Sequence, residues 1–67
     1  MFDLLALKAA MAQREMGVFA LAAAAGVNYS SLIGILNHGK KPTAKTIGRL
    51  AKALDVEPRT LFKEGKE

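Results

Sequence analysis

The chain has 67 residues, which is enough for one small domain but not for two. It contains no cysteine, so disulfide bonds and thiolate metal sites are excluded as supports for the fold. Hydrophobic residues make up 51% of the sequence, which argues against an intrinsically disordered chain. A stable core must therefore come from efficient packing of secondary structure, from oligomerisation or from both.

The formal net charge of +4 is distributed unevenly along the chain. No formally charged residue occurs between Met16 and Gly39. The next stretch contains only basic charges, which are those of Lys40, Lys41, Lys45, Arg49 and Lys52. An uncharged segment raises the possibility of a membrane span, and a basic segment raises that of an anionic partner.

The part of the uncharged segment from Met16 to Leu36 is long enough to cross a bilayer as one helix. Four polar residues at 28–31 interrupt it, however, and Gly26 followed by Asn28 is typical of a helix end and a helix start. A small single-span membrane protein is therefore kept only as a further alternative. The first residues lack the basic charge of a secretory signal, so we expect a cytoplasmic protein without membrane association.

The first two predicted helices span residues 3–15 and 18–25. Asp3 can cap the first helix and adds favourable charge at its N-terminus. The apolar residues on the inner side of this helix are Leu4, Leu7 and Met11. Gly26 can end the second helix because a residue without Cβ adopts the left-handed conformation at low cost. No stretch alternates apolar and polar residues for long enough to predict a strand.

Three further helices are predicted over residues 29–37, 43–54 and 58–63. Asn28 and Thr43 can cap the first two of these, since their side-chain oxygens can accept from backbone N–H groups of the first turn. The apolar residues expected in the core are Leu32, Ile35, Leu36, Ile47, Leu50, Ala51, Leu54, Leu61 and Phe62. The turn between the second and third helices is so short that they must cross closely, which is a helix-turn-helix layout.

The segment LAAAAGVN at Leu21–Asn28 is similar to the LAxxxGVS signature of the Cro/CI-type (XRE-like) helix-turn-helix DNA-binding domains. The likeness continues through KKPT at Lys40–Thr43 and the apolar stripe of the fourth helix, and it ends at Leu61-Phe62. The resemblance needs no gap over about residues 7–62. It implies an all-α, compact five-helix bundle of the lambda-repressor-like type, whose third helix enters the DNA major groove.

The resemblance also implies which residues contact double-stranded DNA. The residues that it places near base edges are Tyr29, Ser30, Ser31, Ile33 and Gly34. Tyr29 and Ser30 offer hydrogen bonds, Ile33 can touch a thymine methyl group, and Gly34 permits close approach. The residues expected to anchor the DNA backbone are Asn28, Asn37, Lys40, Lys41, Thr43 and Lys45, with Arg14 as a weaker candidate.

Three departures from the family pattern carry predictions of their own. The Thr-Gln or Ser-Gln that often opens the second helix is replaced by Gly17 and Val18, which removes a capping side chain and a polar anchor. An Arg–Glu pair between the first and third helices is replaced by Met11 and Leu36, which we expect to touch as an apolar pair. Asp55 replaces a glycine, so we expect a strained but tolerable left-handed residue there.

Two apolar surfaces suggest contacts other than DNA. Val18 and Phe19 are apolar where the family is usually polar, and an exposed patch there would fit a protein partner or a dimer contact. Val56, Pro58 and Phe62 form a second candidate surface, on which a homodimer could form. The alternative function is therefore a protein-interaction module on the same fold, antitoxin-like or scaffolding.

The sequence does not point to an enzyme, since it has no nucleophile–base pair, no paired carboxylates in one cleft and no phosphate-cradling glycine loop. The single histidine, His38, has no second histidine or cysteine to share a metal with, and no cofactor is expected. The favoured interpretation is a sequence-specific transcriptional regulator of prokaryotic or phage type, associated with the nucleoid and acting as a repressor on an inverted repeat.

Overall fold

The computed structural model describes residues 1–63. Its elements, in chain order, are α1 (Leu4–Gln13), α2 (Val18–Ala25), α3 (Tyr29–Asn37), α4 (Ala44–Leu54) and a 3-10 helix over Pro58–Leu61. The predicted all-α fold is confirmed. The prediction of five α-helices is wrong by one, because the chain becomes extended at Phe62 and the last element stays a short 3-10 helix. The end of the predicted 58–63 helix and that of the predicted 3–15 helix are both too late.

Side chains cap three of the four α-helices at the predicted positions. Asp3 and Thr43 each accept a hydrogen bond from the backbone N–H three residues later, at 3.1 and 3.2 Å. Asn28 Oδ1 accepts from the N–H groups two and three residues later, at 2.8 and 3.3 Å. Gly17 precedes α2 without a side-chain cap. The loss of this cap, predicted from the departure at Gly17, is therefore confirmed.

Helices α1, α2 and α4 end in the same way. A left-handed residue follows the helix, and the next backbone N–H donates a hydrogen bond back into the last turn. The left-handed residues are Glu15, Gly26 and Asp55, with φ of 55°, 70° and 58°. In each case the N–H of the following residue donates to the carbonyl five positions earlier, at 2.9–3.0 Å. The predictions for Gly26 and Asp55 are confirmed. Glu15 was not predicted, and its left-handed conformation ends α1 before residue 15.

One hydrophobic core holds the helices together, and α2 packs against both α3 and α4. The buried residues are Leu7, Ala10, Met11, Leu21, Ala22, Leu32, Ile35, Leu36, Ile47, Leu50, Ala51, Leu54 and Leu61. Leu61 is fully buried, whereas Phe62 is 41% exposed, so the expectation that both lie in the core is wrong for Phe62. The backbone is extended at Phe62, and successive residues of extended chain face opposite sides.

The two ends of the described chain pair with each other. Phe2 and Phe62 form an antiparallel bridge. Beside it, the Asp3 N–H donates to the Leu61 carbonyl at 2.8 Å, and the Lys63 N–H donates to the Met1 carbonyl at 2.6 Å. This pairing holds the 3-10 helix against the start of α1. Sequence patterning gives no sign of it, because so short a stretch has no recognisable alternation.

Arg14 connects the end of α1 to the end of α4. Its Nε donates to the Leu54 carbonyl at 3.0 Å, and its Nη2 lies 2.7 Å from Asp55 Oδ2. The left-handed Asp55 thus gains an ion pair that a glycine could not make. The Arg14 guanidinium thus already has two partners at this corner, and its contact with a phosphate stays a prediction.

The uncharged segment is split between two helices. Residues 18–25 belong to α2 and residues 29–37 to α3, and a three-residue turn separates them. The predicted helix-turn-helix layout is therefore confirmed. Within residues 1–63, no helix has both the length and the apolar character that a bilayer crossing requires.

Candidate nucleic-acid interface

Helix α3 has one buried side and one side that the rest of the domain leaves uncovered. The buried side is formed by Leu32, Ile35 and Leu36. With 3.6 residues per turn, the opposite side carries Ser30, Ile33, Gly34 and Asn37. Ser30 and Asn37 are exposed, and Ile33 and Gly34 are half-buried. We call these four residues the outer face of α3. All four belong to the set that the sequence predicted for DNA contact.

Tyr29 and Ser31 lie on the two flanks of the outer face. Tyr29 is 49% exposed, and its ring packs against that of Phe19 with centroids 6.2 Å apart and planes tilted by 56°. Ser31 is half-buried and faces α4. The expected patch of Val18 and Phe19 is therefore wrong in its membership, because Val18 packs against the core and Tyr29 is the neighbour of Phe19.

A cleft of about 310 Å³ lies between the helix-turn-helix and α4. Its lining residues are Gly26, Val27, Asn28, Ser31, Lys45, Thr46 and Arg49. Lys45 and Arg49 are exposed and one helical turn apart, and Arg49 Nη1 donates to the Gly26 carbonyl at 3.2 Å. Asn28 uses its side-chain oxygen to cap α3, which leaves its amide nitrogen to donate elsewhere. The cleft therefore presents hydrogen-bond donors and positive charge, as an anion requires.

Arg49 was not predicted as a site residue. Its signal in the sequence is its spacing from Lys45, since residues four apart on a helix share one face. That spacing alone does not reveal that α4 packs beside the turn of the helix-turn-helix. The hydrogen bond to Gly26 fixes Arg49 at the edge of the cleft and links α4 to the end of α2.

Lys40 lies against α3 rather than extending freely from the loop. Gly39 is left-handed (φ 69°), and the next N–H, that of Lys40, donates to the Gly34 carbonyl at 3.1 Å. A Cβ placed on Gly34 would lie 3.3 Å from Lys40 Cδ. The missing side chain of Gly34 therefore makes room for the aliphatic stem of Lys40, and close approach of DNA at Gly34 stays a prediction.

The remaining residues predicted to contact the DNA backbone differ in exposure and in the hydrogen bonds that they already make. Lys41 and Asn37 are exposed. Thr43 Oγ1 accepts from the Thr46 N–H at 3.2 Å and donates to Thr46 Oγ1 at 3.1 Å. The hydroxyl of Thr43 therefore serves first as the cap of α4.

The acidic residues of the described chain lie outside the helix-turn-helix and α4. No acidic residue occurs between Met16 and Leu54, so α2 and α3 are uncharged and the charges of α4 are all basic. The acidic residues of the part that the structure describes are Asp3, Glu15, Asp55 and Glu57. The absence of acidic residues from the helix-turn-helix and α4 favours a polyanion at the outer face of α3.

Met11 and Leu36, which stand where many family members have an ion pair, are both buried. They line one depression of about 350 Å³ together with Met16 and Val18. The two side chains therefore border the same depression, and their direct contact stays a prediction. An apolar pair here avoids the desolvation cost that a buried ion pair would carry.

The three residues proposed for a dimer contact offer unequal surfaces. Val56 packs partly against the core, Pro58 is exposed and Phe62 is 41% exposed. The apolar area available at this end of the molecule therefore comes mainly from Phe62 and its neighbours. Homodimerisation through it stays a prediction.

Comparison with family models matches residues 6–64 to the Cro/C1-type HTH DNA-binding domain. Comparison with curated proteins and with solved structures gives no match. The matched segment contains α1 from residue 6 onward, α2 to α4, the 3-10 helix and the whole outer face of α3. The short turn between α2 and α3 and the uncovered side of α3 are the features that such a domain uses on DNA. The chain therefore belongs to the Cro/C1-type helix-turn-helix DNA-binding domain family.

Proposed function

We propose that this protein is a sequence-specific transcriptional regulator, acting as a repressor, which inserts α3 into the major groove of double-stranded DNA. The observation that carries the proposal is the outer face of α3, on which Ser30 and Asn37 are exposed and after which the chain carries only basic charge up to Leu54. A major groove about 12 Å wide admits a helix, and the N-terminal residues of that helix reach the base edges.

The residues proposed to read bases are Tyr29, Ser30, Ser31, Ile33 and Gly34. Ser30 has the most direct position, since it is exposed at the start of the outer face. Ser31 faces the cleft beside α4, which favours contact near the edge of the groove over contact at its centre. Gly34 acts through Lys40, whose stem lies over it.

The residues proposed to hold the DNA backbone are Asn28, Asn37, Lys40, Lys41, Thr43 and Lys45, and the cleft adds Arg49. Lys45, Arg49 and the free amide nitrogen of Asn28 surround one volume, so we assign one phosphate to the cleft. Lys40 can pack its stem on α3 while its ammonium group stays in solvent, where a second phosphate can bind it. Each such contact steepens the dependence of binding on salt.

We further propose that two copies bind an inverted repeat, with half-sites about 34 Å apart, through the end of the molecule that carries Val56, Pro58 and Phe62. Binding over a promoter would then block transcription. The family is typically non-enzymatic, and we propose no catalytic activity, no cofactor and a place in the cytoplasm on nucleoid DNA.

Selection of bound sequences from a random double-stranded library tests this function. An enriched inverted repeat is expected, bound with a log affinity that falls steeply with log salt. Lys41→Ala should weaken binding to all sequences alike, because a phosphate contact carries no sequence information. Ser30→Ala should change the selected motif. Equal losses on all sequences for both variants would contradict the assignment of roles.

A protein-interaction module is the second candidate, and the exposed ring of Phe19 is the observation that favours it. It predicts no steep salt dependence and no enriched motif in the same selection. Val18 is half-buried, so the exposed apolar surface consists of Phe19 and Tyr29. Tyr29 is the first residue of α3, so this surface adjoins the helix proposed to enter DNA, which weakens the candidate.

A further inference from the structure

Two exposed aromatic rings sit side by side at the start of α2 and α3. Phe19 is 76% exposed and Tyr29 is 49% exposed. Their centroids lie 6.2 Å apart with planes tilted by 56°, within the range of a favourable aromatic contact. We call these two residues the aromatic pair. Each ring limits the positions that the other can take, so the pair forms one apolar surface.

The position of the aromatic pair identifies DNA as its occupant. Tyr29 is the first residue of α3 and Phe19 is the second residue of α2. In a helix-turn-helix, the second helix places its N-terminal residues at base edges while the first helix crosses the backbone. A surface shared between the starts of both helices therefore faces the wall and edge of the groove. No acidic residue between Met16 and Leu54 repels a polyanion from this place.

The chemistry of the aromatic pair selects one group on the DNA. The C5-methyl group of thymine is the apolar feature that base pairs present in the major groove, and aromatic side chains contact it. Other base edges present donors or acceptors, which a hydrocarbon ring leaves unpaired. Resting on the function proposed above, we propose that the aromatic pair covers a thymine methyl group and so selects thymine at one position of each half-site.

The experiment compares thymine with uracil, which lacks only the methyl group. Two random duplex libraries are prepared, one with thymine and one with uracil in its place, and the wild-type protein selects from each. The motif from the thymine library should contain a thymine that loses its information content in the uracil library. A single thymine-to-uracil change at that position in a fluorescent duplex should lower affinity about fourfold per half-site, the ratio expected for one buried methyl group.

Variants separate the aromatic pair from its neighbours. Phe19→Ala should bind the thymine and uracil duplexes equally, and Tyr29→Ala should behave similarly. Tyr29→Phe removes only the hydroxyl group, so it should keep the fourfold ratio and serves as the matched control. Ile33→Ala should weaken binding to both duplexes, because Ile33 is proposed to read bases, but it should keep the ratio at this position, because Ile33 is not in the aromatic pair. Thermal unfolding followed by circular dichroism confirms that each variant is folded.

The outcomes distinguish this inference from the proposed function. Salt-dependent binding and an enriched motif, with equal affinity for thymine and uracil at every position, overturn the inference and leave the function standing. A uracil effect that persists in Phe19→Ala but vanishes in Ile33→Ala assigns the methyl contact to Ile33 and also overturns it. If no DNA is bound in either library, the proposed function itself fails.

Discussion

Replacing Gly34 by alanine should stabilise the domain and lower its affinity for DNA. Gly34 lies inside α3, where alanine is favoured over glycine by about 0.8–1.0 kcal/mol. The new Cβ would lie 3.3 Å from Lys40 Cδ, so the stem of Lys40 must shift by a few tenths of an ångström. Lys40 is exposed, which makes that shift inexpensive. A gain of about 0.5–1 kcal/mol in the free energy of unfolding is therefore expected, or a Tm several degrees higher.

The cost should appear in DNA binding, because the same shift moves the Lys40 ammonium group away from α3. Because the shift is only a few tenths of an ångström, the contact is weakened and not lost, so the slope of log affinity against log salt should fall by less than the roughly 0.9 of one whole phosphate contact. At 0.1 M salt the loss of affinity should therefore stay below about eightfold, since a whole contact contributes about 0.9 log units relative to 1 M. Urea unfolding measures the first effect, and fluorescence anisotropy with a labelled duplex at several salt concentrations measures the second.

Gly48→Ala is the matched control for Gly34→Ala. Gly48 also lies inside a helix, and a Cβ added there meets nothing within 4 Å. It should give the same gain in stability with no change in DNA affinity or salt slope. The account of Lys40 is refuted if Gly34→Ala keeps the wild-type salt slope, or if its loss of affinity simply adds to that of Lys40→Ala in the double variant.

Three further predictions concern the supports of the fold. Glu15→Gly should raise stability by about 1 kcal/mol, measured by thermal unfolding, because it relieves a left-handed non-glycine residue at the end of α1 (φ 55°); an unchanged Tm would contradict the strain. Asp55→Gly should gain less than Glu15→Gly, because it also removes the ion pair with Arg14, and in an Arg14→Ala background the two gains should become equal. Leu61→Ala should cost about 2–5 kcal/mol, since the side chain is fully buried; a loss under 1 kcal/mol, measured in urea, would mean that the 3-10 helix adds little to the core.

The parts of the fold that the sequence predicted are those set by local chemistry. The caps at Asp3, Asn28 and Thr43 depend on a side chain and the backbone within three residues of it. The end of α2 depends on the single residue Gly26, which has no Cβ. Such signals lie in short stretches of sequence, so the helix starts and the helix-turn-helix could be placed without a structure.

The features that could not be predicted depend on residues distant in the sequence. Arg14 and Asp55 are 41 positions apart, and neither shows from sequence that it pairs with the other. Phe2 and Phe62 come together only after the core has formed. Glu15 is left-handed although glutamate has no preference for that conformation, because the last turn of α1 closes over it.

The same division holds for the proposed DNA-binding surface. The outer face of α3 follows from helical spacing, and its residues were named from the sequence as candidate DNA contacts, which stays a prediction. Three relations on its border were not predicted: the aromatic pair, the stem of Lys40 over Gly34, and the place of Arg49 beside the turn. Each joins two segments of the chain, so none of them could be read from one short stretch of sequence.

The most direct test of the central claim is to map which amides respond when DNA is added to the isotopically labelled protein, by nuclear magnetic resonance. The account predicts that the largest chemical-shift changes fall at residues 28–34 and 40–45, with smaller ones at the start of α2, and that they weaken as salt rises. The amides on the exposed side of α1 should stay unchanged. Changes concentrated in α1 and the 3-10 helix, with none in α3, would contradict the claim that α3 is the DNA-reading helix.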